Sequence, residues 1–432
     1  MRILLIAYEF PPSPSPQSLR WTYLSRELAL LGHEVHVFTA DLGGETPGLP
    51  AVPDTIHVHR TFPGPVRGML SALRKRRQRT RAGNPPNAGS EVDPRLFAPI
   101  RPPRNLKQRL SEVVQAAAQR IYFPDIRGEW RAWAVPGLRK TLAAVGPDVV
   151  ISSHEPAITI ELALMAKRAG YRWIADLGDP VLASYTPSQW QARSERVERA
   201  MCREADLISV TTDATLDLLR RRHARNGPML VLPQGFDDRR DRQPDAPALF
   251  EPHRLELFYS GSFYQFRRPD ALLAALHAHP ALRLNIASVT VPEAVLEAAA
   301  RHPDRIRLLG FLPHTSVLAL QRSADVLVNI ANDDATQIPG KVNEYLGARR
   351  PILNLGAGRD PASTMIESLR RGYNCANDSD AIATLLARLA DAKQAARLGD
   401  GLDLSLEPIQ HVSWRELAAR LDSALWNIVT PV

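Results

Sequence analysis

Cysteine is nearly absent from this chain. Cys202 and Cys375 stand far apart and form no CxxC pair. That excludes a disulfide framework and a cysteine-based zinc knuckle, and it fits a reducing compartment, so a cytoplasmic protein is expected. Long apolar runs are also lacking. No stretch approaches the ~18–20 residues that a membrane-spanning helix needs. The first residues, MRILLIAYEFPP, carry one Arg and an apolar run that ends at Pro11. That run is too short for a secretory leader and predicts a first buried strand. There is no GxGxxG after it, which argues against a dinucleotide-binding loop.

What is present is uneven. The net charge is +8, but residues 64–110 alone hold twelve Lys and Arg against two acids, which leaves the rest of the chain at −2. This is one basic insert on an ordinary protein rather than a basic protein. The insert has Phe97 as its one aromatic among the cations. A single-strand binding surface stacks bases on interleaved aromatics, so no nucleic-acid partner is expected. An anionic membrane is the better match. VRGMLSALRKRRQRTR sets Met69, Leu70 and Leu73 beside dense positive charge. Leu106, Leu110, Val113, Val114, Ala117 and Ile121 fall on one face of a predicted helix. Anionic lipid attracts such segments by about 1 kcal/mol per cation near the surface. A peripheral position on the inner face of the membrane is therefore expected. The competing readings are a solvated loop over 74–104 and a helix that packs on its own sheet.

Along the chain, short strands rich in Val and Ile alternate with helical patterns. RILLIAY, EVHVFTA, TIHVHRT, DVVISS, YRWIADL, DLISVTT and MLVLPQ come first. LELFYSGS, LRLNIAS, IRLLGFL, DVLVNIA and PILNLG follow after a polar, Pro-rich stretch. Such alternation predicts parallel sheets covered on both faces. The division expected is a first Rossmann-like domain over 1–235 with a basic insert at about 64–130, a linker over 236–254, a second Rossmann-like domain over 255–410, and a C-terminal helix over 411–432. In such sheets ligands bind beyond the carboxyl ends of strands, near the point where strand order reverses. Residues directly after strands are therefore the candidates.

Four stretches pass that test. Gly261 and Ser262 follow LELFYS, and Arg267 and Arg268 open the next helix. Guanidinium groups match phosphate oxygens, so a diphosphate is one reading; a turn with solvated arginines is the other. QIPGKVNEYLGARRPIL carries Pro339, Gly340, Lys341 and Glu344. A helix start favours anions, Lys341 adds charge, and Glu344 could grip a ribose diol. On these residues alone the simpler reading is a helix-start acid above a core of Val342, Tyr345 and Leu346. The stiff PPSPSPQS leads to Ser18, Arg20 and Trp21, either as an acceptor loop or as a plain connection. His154 and Glu155 follow DVVISS, and Asp176 and Asp179 sit in ADLGDP. Proton transfer is the functional reading of His154 and a satisfied cleft histidine the simpler one, while a helix cap is the alternative for Asp179. His57 and His59 alternate on one strand and could hold a metal, but no third ligand is evident in the sequence. A structural role is preferred for them.

Several of these segments resemble the retaining GT-B glycosyltransferases of family 4. The opening strand with its PP, followed by LALLGHEVHVFTA, is similar to the family's beginning. VLPQGFD resembles its PNGVD, and FYSGSF with Arg267-Arg268 and RIRLLGFLPHTSVLALQRSADVLV resembles its donor half. Glu344 with Pro351-Ile352-Leu353 matches the second of the family's two spaced glutamates; Thr336 stands where the first would be, and the Gly-Gly acceptor loop is replaced by Ser and Pro. The resemblance implies an α/β GT-B fold, two doubly wound Rossmann-like domains facing across a cleft. It implies Glu344 on the ribose of a nucleotide sugar. Gly261, Ser262, Arg268, Gly310, Phe311, Pro339 and Gly340 would line the donor, and Arg267 and Lys341, with His154, would act in catalysis. Ser18, Arg20 and Asp179 would lie on the acceptor side. No cofactor or metal is expected, since Arg and Lys would stabilise the departing phosphate. The partners expected are a nucleotide sugar and a glycan or lipid-linked acceptor, in surface polysaccharide or glycoconjugate synthesis. A sugar-nucleotide epimerase of the same fold and a binding-only degenerate transferase are the alternatives.

Overall fold

The computed structural model describes residues 1–44, 46, 48–82, 121–239, 249–263, 267–331, 339–356 and 360–430. Two compact units divide them. One is built from the described residues through Gln234 together with the segment from Trp414 onward, the other from Gly235 to Ser413.

The first unit is a seven-stranded sheet of β1 (Arg2–Ala7), β2 (Glu34–Ala40), β3 (Ile56–Thr61), β4 (Val149–His154), β5 (Arg172–Leu177), β6 (Leu207–Val210) and β7 (Met229–Val231). The order is β3-β2-β1-β4-β5-β6-β7, and every pairing is parallel. Side chains alternate between faces with period two, so β1 feeds two cores. Leu4 and Ile6 pack with Phe38, Trp130 and Leu138, the last from the helix Arg131–Val145. Ile3 and Leu5 pack with Trp21, Leu24 and Leu28 of the helix Pro16–Leu30. That helix takes in the last residues of the PPSPSPQS stretch, from Pro16 on. Ser15 Oγ accepts from the Ser18 N–H at 3.1 Å, and Pro16 opens the first turn where its missing N–H costs nothing.

The second unit is a six-stranded parallel sheet of β8 (Leu255–Ser260), β9 (Leu282–Ala287), β10 (Ile306–Leu308), β11 (Val326–Ile330), β12 (Ile352–Leu355) and β13 (Gly372–Cys375). Its order, β10-β9-β8-β11-β12-β13, repeats that of the first six strands. The sequence does not announce β13, because GYNC is short, opens on Gly and has no apolar run. Tertiary pairing makes it a strand: Gly372 lies opposite Ile352, and Asn354 Nδ2 donates to Asn374 Oδ1 at 3.1 Å.

The final helix, Trp414–Val429, is not a separate element after the second sheet. It returns to the first unit, where Leu417, Leu421 and Leu425 share the core of Ile3 and Leu5. Trp414 stacks on Tyr23 with ring centroids 5.5 Å apart, and His33 Nε2 lies 2.7 Å from Asp422 Oδ1. No helix among the described residues is long and apolar enough to cross a membrane. The expectations for Thr336 and for all but Ile121 of the 106–121 helix fall outside the described residues.

Candidate functional site

In both sheets strand order reverses beside the first strand, between β1 and β4 and between β8 and β11. The candidate residues gather at the carboxyl ends of these strands, as parallel doubly wound sheets dictate.

In the second unit, β8 ends at Ser260 and Gly261 follows with φ +116°, a conformation that a side chain would strain. This turn brings Lys341, the first residue of the helix Lys341–Gly347, over the ring of Tyr259. Its ammonium sits 3.7 Å from the Tyr259 centroid and 5.6 Å from that of Tyr345. Lys341 Nζ is buried and meets no hydrogen-bond partner among the described residues. Burial, then the neighbouring Arg267 charge, hold its pKa well below the ordinary lysine value. A desolvated cation over an aromatic face recovers about 2 kcal/mol or more, against a penalty of several kcal/mol for a buried charge. Arg267 is itself buried and donates to the Ser262 carbonyl at 3.1 Å. The Tyr259 hydroxyl donates to the same carbonyl at 3.0 Å, and its ring stacks on Phe263 at 4.4 Å. Two cations are thereby fixed at one turn.

Glu344 lies one helical turn beyond Lys341, with Val342, Tyr345 and Leu346 buried beneath. Its side chain is 24% exposed. Gln321 Nε2 donates to Glu344 Oε2 and to Ser260 Oγ, both at 3.3 Å, and Ser260 Oγ is 3.2 Å from the Tyr345 hydroxyl. His314 Nε2 stands 3.8 Å from Glu344 Oε1. The carboxylate is positioned on one side and open on the other, an arrangement that suits two hydrogen bonds from a diol. His314 and Gln321 were not among the residues expected from the sequence. Their spacing of seven on the helix His314–Ser323 puts them on one face, which is the signal that could have found them. Gly310 is buried with φ +66°, Phe311 is half-buried, Pro339 is buried, and Gly340 is exposed as the helix cap. Arg268 is exposed, and its carbonyl accepts from Asn377 Nδ2 at 3.1 Å.

In the first unit, His154 is the last residue of β4 and is buried. Its Nδ1 lies 3.0 Å from the Asp179 carbonyl, an acceptor, so Nδ1 carries the proton and Nε2 the lone pair. Burial keeps the ring's pKa below the usual histidine value, so the neutral imidazole prevails near neutrality. Next to it the Tyr185 hydroxyl lies 2.9 Å from Asp179 Oδ2 and 3.1 Å from Glu155 Oε1. Burial and the two carboxylates push the Tyr185 pKa up, so it remains a phenol. Arg127 pairs with Asp125 at 2.6 Å and reaches Glu155 at 3.4 Å. His154 and Asp179 are thus brought together, with Glu155, Tyr185 and Arg127 added.

The other two residues assigned to the acceptor side are placed differently. Arg20 is not a surface group. It is fully buried and bidentate to Asp176, at 3.0 and 2.8 Å, and it donates to the carbonyls of Leu232 and Pro233, each at 2.8 Å. Asp176 also accepts from Trp21 Nε1 and Ser209 Oγ, at 3.1 and 2.7 Å. Arg20 thereby ties the helix to β5 and to the residues that follow β7. Ser18, two residues earlier, is buried, and its Oγ has no hydrogen-bond partner among the described residues.

Residues 86–235 match the profile of the Glycosyl transferase 4-like domain. No curated protein sequence matches the chain. Among solved structures, a sucrose-phosphate synthase from Thermosynechococcus elongatus is similar, with a TM-score of 0.66 at 16% identity over 98% of each chain. The Anabaena protein HepE in complex with UDP has a TM-score of 0.59 at 12% identity, over 98% of this chain and 99% of that one. A putative UDP-N-acetylglucosamine 2-epimerase from Listeria monocytogenes has a TM-score of 0.52 at 13% identity, over 99% and 96%. Over residues 86–235 the chain is thus similar to a glycosyl transferase 4-like domain, and as a whole it has the GT-B fold of two parallel-sheet, Rossmann-like units.

Proposed function

We propose that the protein transfers a sugar from a nucleotide-sugar donor to a glycan or lipid-linked acceptor, with retention of configuration, in the synthesis of a surface polysaccharide or glycoconjugate. The observation that carries this reading is the buried Lys341 Nζ, without a hydrogen-bond partner among the described residues, beside Arg267 at the end of β8. Such a pair of like charges is costly in the free protein and is neutralised by a diphosphate. Lys341 and Arg267 take the diphosphate, with the Gly261–Ser262 turn and Arg268 alongside. Glu344, oriented by Gln321, takes the ribose hydroxyls. Gly310, Phe311, Pro339 and Gly340 complete the donor wall.

The chemistry asked of these groups is electrostatic. As the bond from sugar to phosphate breaks, charge grows on the leaving phosphate, and preorganised cations stabilise that charge without reorganising. No metal enters this step. Retention is assigned to front-face attack, with the departing phosphate helping to take the acceptor's proton. In the first unit, His154 offers an unprotonated Nε2, and Asp179 and Tyr185 offer hydrogen bonds to sugar hydroxyls. The helix Pro65–Ala82 carries a basic run from Arg74 to Arg81 and exposes Met69 and Leu70 near its start, which supports docking on an anionic membrane where a lipid-linked acceptor would lie.

The test is an assay of purified protein with nucleotide sugars, uridine-based donors first. Slow release of nucleoside diphosphate, accelerated by a cell-membrane or glycan extract, is expected. Release of a free epimer instead would make the protein an epimerase, and nucleotide binding without turnover would make it a binding-only relative.

A further inference from the structure

The sequence offers His57 and His59 as a metal pair without a third ligand. The sheet supplies it. In the parallel register of β2 and β3, His36 lies opposite His57 and Phe38 opposite His59. Period-two alternation puts Glu34 and His36 on the same face as both β3 histidines. The four side chains meet there. His36 Nε2 is 2.8 Å from Glu34 Oε1, and His36 Nδ1 is 3.0 Å from His59 Nε2. The ring centroids of His36 and His57 are 4.8 Å apart, and one ligand atom each from Glu34, His36 and His57 lie within 4.8 Å of one another.

We propose that Glu34, His36 and His57 form a binding site for a divalent transition metal of the Zn2+ class, with water in the remaining position and His59 as a positioning residue. Two imidazoles and a carboxylate are a donor set for such an ion and leave an open position. Bonds of ~2.0–2.1 Å at tetrahedral angles require ligand atoms roughly 3.3 Å apart. Glu34 and His57 are exposed, so small rotamer changes bring them to that spacing, and their exposure gives the ion a way in. His36 is 8% exposed and anchors the set.

The ion takes the place now held by the proton between His36 Nε2 and Glu34. His36 must then carry its proton on Nδ1 and donate it to His59 Nε2, already at hydrogen-bond distance. A second residue fixing the tautomer and orientation of a ligating histidine is the usual companion of such a site.

The position says what the metal does. Glu34 is the first residue of β2, and His57 is the second of β3. They lie at the amino ends of their strands, whereas the candidate catalytic residues of the same sheet follow its carboxyl ends. The ion fastens the edge strand β3 to β2 and takes no part in transfer.

The test uses the full chain without a histidine tag, stripped with chelator and dialysed. Zn2+ is titrated by calorimetry, and Co2+ replaces it as a visible-absorption probe. One equivalent is expected, with cobalt bands characteristic of histidine–carboxylate ligation and a rise in melting temperature on metal addition. His57→Ala and Glu34→Gln, both at exposed positions, should weaken binding at least tenfold and remove the thermal shift. His59→Ala should keep the stoichiometry and weaken binding by about 10–100-fold. Nucleoside diphosphate affinity should be the same in His57→Ala as in the wild type. Absence of saturable Zn2+ binding to the stripped wild type, or equal affinity in wild type, His57→Ala and Glu34→Gln, would overturn the proposal.

Discussion

Lys341 is a residue whose stability cost and proposed function have one cause. Its ammonium is held over Tyr259 with no hydrogen-bond partner among the described residues, beside the Arg267 charge. Because its folded-state pKa is depressed, the unfolded chain holds the proton more readily. The resulting penalty is complete below the folded value and disappears as pH rises past the ordinary lysine value. Lys341→Met should therefore raise the melting temperature of the ligand-free protein at neutral pH, by an amount that shrinks toward high pH, while nucleoside diphosphate binding is lost. Calorimetry on the mutant with and without nucleotide checks both halves; an unchanged affinity would remove Lys341 from the donor site. Glu344→Gln keeps the shape and removes the charge. It should weaken nucleoside diphosphate binding by about 1.5–3 kcal/mol, roughly ten- to a hundredfold, with the melting temperature of the free protein little changed. The fold around position 344 rests on Val342, Tyr345 and Leu346, not on the carboxylate. Glu344 was a candidate from its place in the chain, and its Pro-Ile-Leu sequel tied it to the family resemblance. His314 and Gln321 were not, because a histidine and a glutamine on a helix acquire a role only from what that helix packs beside.

At the scale of elements, the helix Pro65–Ala82 stands out for carrying dense positive charge and no acid. Its first turns are tied to the unit by Glu129, whose carboxylate accepts from the backbone N–H groups of Val66 and Arg67 at 3.1 and 2.7 Å. Met69 is 60% exposed nearby. Neutralising the cations from Arg74 to Arg81 should abolish co-sedimentation with phosphatidylglycerol liposomes at low salt, while the wild type binds and is released by high salt. Equal binding by both proteins, or binding by neither, would leave this helix a solvated arm. The edge pair β2 and β3 shows the opposite limit of sequence reading. Two alternating histidines were visible on β3, but the other half of their cluster comes from a strand some twenty residues earlier, brought alongside by register alone.

At the scale of the whole molecule, two sheets of the same strand order each place a polar cluster at their carboxyl ends. On the proposed assignment of the transfer charge to Arg267, Arg268 and Lys341, EDTA should leave turnover intact while lowering the melting temperature through the proposed site on β2 and β3. Abolition of turnover by chelator, with rescue by magnesium or manganese, would show that transfer depends on a metal. The first unit also depends on the last helix of the chain. Trp414→Ala removes the ring stacked on Tyr23 and should cost about 3–5 kcal/mol, read by denaturant unfolding. A nucleoside diphosphate affinity that survives this change below the melting transition would show that the second unit keeps its own site.

The sequence by itself determined the alternation of strands and helices and the residues that end each strand, because both follow from local apolar periodicity and from the rule that parallel sheets bind at their carboxyl edges. It made Gly261, Arg267, Lys341, Glu344 and His154 candidates for that reason, while the roles proposed for them came from the resemblance to a family. Tertiary structure alone decided that Arg20 is buried on Asp176, that Gly372–Cys375 is a strand, that the final helix completes the first unit, and that Glu34 and His36 join His57 and His59. Each of these rests on partners distant in the chain, and pairing across such distances is set by burial and register rather than by any local pattern.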